Sequence, residues 1–335
     1  MKPVIFGVSG LQLTDDERAF FTEANPLGYI LFKRNCGDPA QMKALTDSIR
    51  EMTGRDDVPI LIDQEGGRVA RMQPPVWPAF PEGASFNALY EAAPISAIEA
   101  ARANYHALAL MLHEVGVNVD CAPLLDVVQP EVTKAIGDRA FGGEPMQVAA
   151  LGRAAIEGLR RGGVVGVVKH MPGHGRALVD SHLELPRVKA DAAALETDIE
   201  PFRSNNDAPM GMTCHLVFEA WDAANPATLS PKVISEIIRG RIGFEGLLMT
   251  DDIDMKALSG TAGEKATQAL AAGCDVVLDC WARMDEMVEI AGLIGDATPE
   301  CIARLDRAMA TVANGPERGE MAELIAKRDE LLALA

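Results

Sequence analysis

The sequence predicts an α/β chain folded as one (β/α)8 barrel of TIM type, and three observations predict it. Eight short apolar runs recur along the 335 residues, each followed by a stretch with helical spacing. Acidic, basic and imidazole side chains fall at the carboxyl ends of most of those runs: Asp63, Asp126, Lys169–His170, His215 and Asp251. The long polar loops follow the same ends, and in a barrel these converge on one face, where active sites sit. An open doubly wound sheet would have the same strand count but would spread its strand ends along a line.

Taken in order, strands are expected at Pro3–Val8, Gly28–Phe32, Ile60–Asp63, Asn118–Ala122, Val164–Lys169, Met210–Cys214, Leu247–Asp251 and Val276–Asp279. Val164–Val168 is apolar without alternation, which marks a strand covered on both faces. Helices are expected at Gln41–Met52, Ile98–Glu114, Met146–Gly158, Pro231–Arg239, Glu264–Ala272 and Arg283–Leu293. The proline-rich Pro74–Pro81 suits neither helix nor central strand. Asp126–Glu144 and Met171–Pro186 read as long loops over the barrel mouth. Residues 1–335 form a single domain on this reading, its last ~40 residues being two amphipathic helices on the outside.

Composition narrows the partners. A formal charge of −18 with no basic stripe argues against nucleic acid and for a small ligand. The amino-terminal apolar run is too short for a signal peptide, and no run approaches the roughly 18 apolar residues of a membrane span. The six cysteines are scattered without a C-x-x-C pair, as buried thiols in a reducing compartment would be. A cytoplasmic protein without membrane partners is expected.

The densest chemistry is Lys169–His182, with one lysine, three histidines and Asp180 threaded on a loop that carries Pro172, Gly173 and Gly175. A metal site is the first alternative, but there is no H-x-H, helical H-x-x-x-H or His–Cys pair of zinc type. No metal and no cofactor are expected. Pro172 and Gly173 forbid the helix that would join His170 to His174. Asp180 and His182 suit an Asp–His dyad, in which the carboxylate orients the imidazole for acid and base work. Ser181 lacks a G-x-S-x-G elbow. His106 and His113 lie on a helix and read as structural.

Asp251 and Asp252 are strand neighbours, so they cannot both aim into the mouth. One is free to act on a ligand and the other to accept structural hydrogen bonds or cap a helix. In Asp63–Arg71 an aspartate closes a buried strand, and Gly66–Gly67 lets backbone turn sharply or approach a ligand. Carbohydrate recognition by Asp63 and an arginine is one reading. An internal ion pair, Glu65–Arg68 or Asp63–Arg71, is the other.

Lys169-His170-Met171-Pro172-Gly173-His174-Gly175 followed by Asp180-Ser181-His182 closely resembles the K-H-F-P-G-H-G…D-S-H pattern of glycoside hydrolase family 3, in its bacterial β-N-acetylglucosaminidase branch. Ile30–Asn35, Asp63–Arg68, Ala122–Asp126, Ala135–Phe141 and Thr250–Asp252 continue the likeness in order along nearly the whole chain. The resemblance implies a single-domain β-N-acetylhexosaminidase of peptidoglycan recycling. Its substrate would be a small carbohydrate, a muropeptide or the end of a chitooligosaccharide. Asp251 would be the nucleophile and His182 the general acid/base assisted by Asp180. Asp63, Arg71, Arg139, Lys169 and His170 would hold the N-acetylglucosamine ring.

The implied reaction is retaining, through a covalent glycosyl-enzyme. Phosphate stands beside water as an acceptor, because a histidine repels an anion less than a glutamate does. Met171 and Arg176 depart from the family's usual residues and bear on the loop and the aglycone. Arg176 is the expected contact for substrate carboxylates. A metal-dependent barrel hydrolase would lose activity to a chelator. A sugar sensor without catalysis would need neither Asp251 nor the Asp180–His182 pair.

Overall fold

The computed structural model describes residues 1–179, 181 and 184–335; Asp180 and His182 lie outside the described residues. Eight parallel strands close a barrel in sequential order. They are β1 (Lys2–Gly7), β2 (Pro26–Leu31), β3 (Ile60–Ile62), β4 (Val119–Asp120), β5 (Val165–Met171), β6 (Met210–Thr213), β7 (Leu247–Asp252) and β8 (Val276–Asp279). β8 pairs back onto β1, with Val4 opposite Val277, so the barrel itself has no open edge. The expected strands are all present, most shifted by a residue or two at their ends.

Each strand is followed by a helical segment. These are α1 (Asp15–Ala24), α2 (Pro39–Thr53), α3 (Ser85–Ala92) with α4 (Pro94–Glu114), α5 (Pro145–Arg161), α6 (Glu196–Arg203), a π-helical segment Val233–Ile242, α7 (Ala262–Ala272) and α8 (Met284–Leu293). Local signals start them. Thr14 and Glu17 form a capping box on α1, as Thr261 and Glu264 do on α7. Asp38 caps α2 ahead of Pro39. Helix α1 was not among the expected helices, although T-x-x-E at Thr14 marks its start.

The strands' two faces bury different cores. Ile5, Leu61, Val119, Val165, Val167, Leu247, Met249, Val276 and Leu278 fill the barrel interior. Val4, Phe6, Ile60, Ile62, Val164, Val168, Leu248 and Val277 face the helices. This period-2 division decides which polar residues reach the mouth. Cys301, Leu305 and Met309 of α9 (Pro299–Ala310) pack against the interior cluster. Arg304 of that helix pairs with Asp275, just ahead of β8, so α9 covers the amino-terminal end of the barrel. The last helix, α10 (Met321–Leu332), lies on α4 and buries Arg328, which donates to Asn104 Oδ1 at 3.0 Å. All six cysteines are free, and five are buried.

Candidate active site

Leu247 and Met249 of β7 point inward and Leu248 outward, but a register shift against β8 between Met249 and Asp252 breaks the alternation. Asp251 and Asp252 therefore both line the cleft at the barrel mouth, against the expectation that only one could aim there. Their surroundings nevertheless differ. Asp251 Oδ1 accepts the Asp252 N–H at 2.8 Å. Burial works to raise the pKa of Asp251, but His170, His215, that N–H and Lys169 hold it below the ordinary aspartate value. Asp252 Oδ1 accepts the N–H groups of Asp254 at 3.2 Å and Cys280 at 3.3 Å. Burial, with the charges of Asp251 and Asp254 beside it, pushes Asp252 up to about 6. Asp251 stays ionised, while Asp252 ties the ends of β7 and β8 together.

Lys169 continues the inward row of Val165 and Val167 on β5, and a register shift against β6 between Val168 and Met171 breaks the alternation. Both Lys169 and His170 therefore line the same cleft. Lys169 is only 2% exposed, and its ammonium reaches Asp63 at 3.1 Å and Glu65 at 2.7 Å. Arg71 Nη2 donates to the other oxygen of Asp63 at 2.8 Å. Arg139 grips Glu65 through Nε and Nη2 at 2.8 and 2.7 Å. The side chains thus alternate in sign as Arg71, Asp63, Lys169, Glu65, Arg139.

Burial penalises every charge in this belt, and the pairing outweighs it. Lys169 and Arg71 bring Asp63 well below the ordinary carboxylate range despite burial. Glu65 is likewise brought down to about 2, against its burial, chiefly by Arg139 and Lys169. Burial alone would lower Lys169, yet Glu65 and Asp63 hold its pKa above the ordinary lysine value. Ammonium and guanidinium groups donate and carboxylates accept, so such a belt offers both halves of the hydrogen bonding a sugar hydroxyl needs. Arg71 Nε is buried with no hydrogen-bond partner among the described residues.

Two imidazoles flank Asp251. His170 Nδ1 lies 2.8 Å from Asp126 Oδ2, and Asp126 Oδ1 accepts the His170 and His174 N–H groups at 3.2 and 2.6 Å. An ionised carboxylate only accepts, so His170 carries its proton on Nδ1. His215 Nε2 donates to the Asp252 carbonyl at 2.9 Å, and Nδ1 faces Thr228 Oγ1 at 2.8 Å. Burial lowers the pKa of His215, which favours the neutral ring. His170 and His174 do meet, with ring centroids 5.6 Å apart, although no helix joins them: Asp126 gathers both backbones. Burial and His170 bring His174 down to about 4.

Asp63, Arg71, Arg139, Lys169, His170 and Asp251 thus line one cleft of about 400 Å³ at the carboxyl ends of the strands, with Phe32, Arg34 and Trp281 along one side. A larger hollow, about 760 Å³, opens near the amino-terminal end between Lys43, His113 and Ala313, away from these groups. Asp180 and His182, the expected acid/base pair, lie outside the described residues. The Asp63–Arg71 ion pair is present and lines the cleft as well, so the two readings of that segment coexist. The Glu65–Arg68 pair is not formed: Arg68 binds Asp138 at 2.8 Å, and Glu65 turns to Lys169 and Arg139. Arg176 is not free for substrate carboxylates. Its Nε donates to Asp198 at 2.6 Å and its Nη2 to the Ala194 carbonyl at 3.1 Å. Glu65, Asp126, His215 and Trp281 were not among the expected site residues. The strand-end positions of Asp126 and His215 were the signal for those two.

Among the described residues no group of three His, Cys, Asp or Glu side chains is arranged to hold a metal ion. An ionised carboxylate, paired cations and oriented imidazoles at the mouth of a (β/α)8 barrel are the makings of a polar-substrate hydrolase. Comparison with known proteins specifies which one. Residues 7–314 match the model of the glycosyl hydrolase family 3 N terminal domain. The chain is 38% identical over 283 residues to a beta-hexosaminidase of Alkalilimnicola ehrlichii, covering 83% of this chain and 80% of that protein. It is 36% identical over 321 residues to the beta-hexosaminidase of Bordetella avium, covering 93% and 89%. Native NagZ from Neisseria gonorrhoeae superposes with a TM-score of 0.87 at 29% identity, over 100% of this chain and 98% of that one. The same protein has also been solved with N-trifluoroacetyl-D-glucosamine bound. The chain belongs to glycoside hydrolase family 3 and is a glycoside hydrolase.

Proposed function

We propose that this protein is a retaining exo-β-N-acetylglucosaminidase. It releases terminal β-linked N-acetylglucosamine from peptidoglycan fragments, namely N-acetylglucosaminyl-1,6-anhydro-N-acetylmuramic acid and its peptides. The observation that carries this reading is Asp251: lining the cleft at the end of β7, ionised, flanked by His170 and His215, beside a belt that offers donors and acceptors to one sugar ring. The hexosaminidase relatives and the N-acylglucosamine complex of the gonococcal enzyme support the choice of sugar. Asp63, Arg71, Arg139, Lys169 and His170 hold the ring in this reading.

Asp251 attacks the anomeric carbon as the bond to the leaving oxygen breaks, and His182 gives that oxygen its proton. Asp180 orients the imidazole. Water then attacks the glycosyl-enzyme, His182 takes its proton, and the carbon–Asp251 bond breaks to release the sugar. The same carboxylate is used and regenerated.

His182→Ala tests the assignment. A nitrophenolate leaves without help, whereas deglycosylation still needs a base. The variant is expected to give a burst of nitrophenolate followed by a slow steady state. Azide, which needs no deprotonation, should restore turnover and yield the β-glycosyl azide. An inverted azide product would exclude the double displacement. Absence of the burst in a folded variant would remove His182 from the role.

A further inference from the structure

The rim of the cleft carries an aromatic side chain that the reaction above leaves without a task. The chain has three tryptophans. Trp77 and Trp221 are 7% and 6% exposed, whereas Trp281 is 57% exposed and lines the cleft that holds Asp251. It follows Cys280 just beyond the end of β8. An indole left in water forgoes the burial that usually stabilises it, and an exposed large apolar group beside a polar cleft marks a contact surface.

The backbone that presents Trp281 is fixed on both sides. The Cys280 N–H is held by Asp252 Oδ1 at 3.3 Å, and the Cys280 carbonyl accepts from Arg34. Gly7 admits that carbonyl, since any Cβ there would collide with it. Beyond the indole, Ala282 adopts a left-handed φ of 56°, strained for a residue with a Cβ. Arg283 then anchors the turn to Asp254 at 2.7 Å and Glu286 at 2.6 Å. A ring carried on backbone fixed before the ligand arrives has less freedom to lose on binding.

We propose that Trp281 is the stacking platform for the aglycone, a second pyranose ring outside the bond that is cut. The inference rests on the retaining reading above. The charged belt occupies the buried floor, where Lys169 is 2% exposed, and suits the hydroxyl-rich ring that is released. In a displacement the leaving oxygen departs from the face opposite Asp251, toward the mouth. The aglycone therefore meets the rim, and the apolar C–H face of a pyranose matches the indole face.

The experiment compares kcat/KM for a β-linked N-acetylglucosamine disaccharide with that for methyl β-N-acetylglucosaminide, which has no aglycone ring. Trp281→Ala is expected to lower the disaccharide-to-methyl ratio about tenfold, mainly through KM, and Trp281→Phe to keep most of it. An unchanged ratio in Trp281→Ala would overturn the proposal, as would an equal loss on both substrates. If the wild-type protein released N-acetylglucosamine from neither substrate, the underlying reading would have failed instead, whatever the variants did.

Discussion

The two sides of the barrel mouth treat buried charge in opposite ways. On the β3–β5 side every buried carboxylate of the belt meets a cation within 3.1 Å, and all five groups stay charged. On the β7–β8 side Asp252 and Asp279 have no basic partner among the described residues. Asp279 is fully buried, and neither of its oxygens has a hydrogen-bond partner. Burial, with Asp252 and Glu286 nearby, pushes Asp279 up to about 7, and Asp252 stands at about 6. One side holds its groups by charge pairing, the other by keeping protons. Asp251 lies at the seam, held ionised against its burial by His170 and Lys169 of β5 and by His215 beyond β6. The contrast teaches that the ionisation of Asp251 is set by neighbours on other strands, not by its own carboxyl-rich strand end.

The largest expected effect separates the two sides at that seam. Asp251→Asn should leave the fold intact and lower kcat by about 10³-fold or more, because no covalent intermediate forms. Asp252→Asn retains an oxygen for the Cys280 and Asp254 N–H groups and should keep kcat within about tenfold of wild type. Parallel kinetics and thermal melts of the two variants check this. A dead Asp252→Asn beside an active Asp251→Asn would reverse the assignment.

The next effect breaks the charged side. Glu65→Ala leaves Lys169 and Arg139 buried with one carboxylate fewer, and losing one partner of a buried pair destabilises by about 3–5 kcal/mol. Urea unfolding should show that loss, and kcat/KM should fall because both cations lose their orientation. Glu65 also fixes the sign of the acid response. Its pKa is depressed from the ordinary 4.5 to about 2, so its stabilisation is present above pH 4.5 and disappears as pH falls toward 2. Glu65→Gln should be less stable than wild type at pH 7 and converge with it near pH 2. A constant difference across that range would show that ionisation of Glu65 contributes nothing.

Much of this was legible in the sequence, for physical reasons that differ by element. The barrel followed from apolar runs of strand length and from polar residues at their ends. Strand alternation does not separate Asp251 from Asp252, because a register shift between Met249 and Asp252 brings both to the cleft; their hydrogen-bond partners and neighbouring charges distinguish them instead. Lys169, Asp63 and Arg139 carried the resemblance to the family and do line one cleft. The partnership of Glu65 was not legible, because Arg68 is nearer in sequence while Lys169 and Arg139 approach only through barrel closure. Arg176 misled for the same reason: Asp198, its partner, is 22 residues away on α6. Helix α1 is announced by its capping box, a local signal that needs no tertiary contact.

The smallest expected effect tests the side that keeps protons. Val277 faces the helices, so alternation puts Asp279 on the outward row of β8, outside the cleft that Asp252 lines. Its pKa is raised from 3.8 in the open chain to about 7 in the fold, so the folded state binds the extra proton between those values. Stability from this group is therefore intact below about pH 4, declines as pH rises, and is fully lost above pH 7. Asn has nearly the same shape and never ionises. Asp279→Asn should match wild type near pH 4 and exceed it at pH 8 by on the order of 4 kcal/mol, with kcat little changed because the residue does not line the cleft. Chemical denaturation of both proteins at the two pH values measures the difference directly. A variant less stable than wild type at pH 8 would mean that Asp279 is held as a charged group like those of the belt, and the contrast between the two sides would collapse.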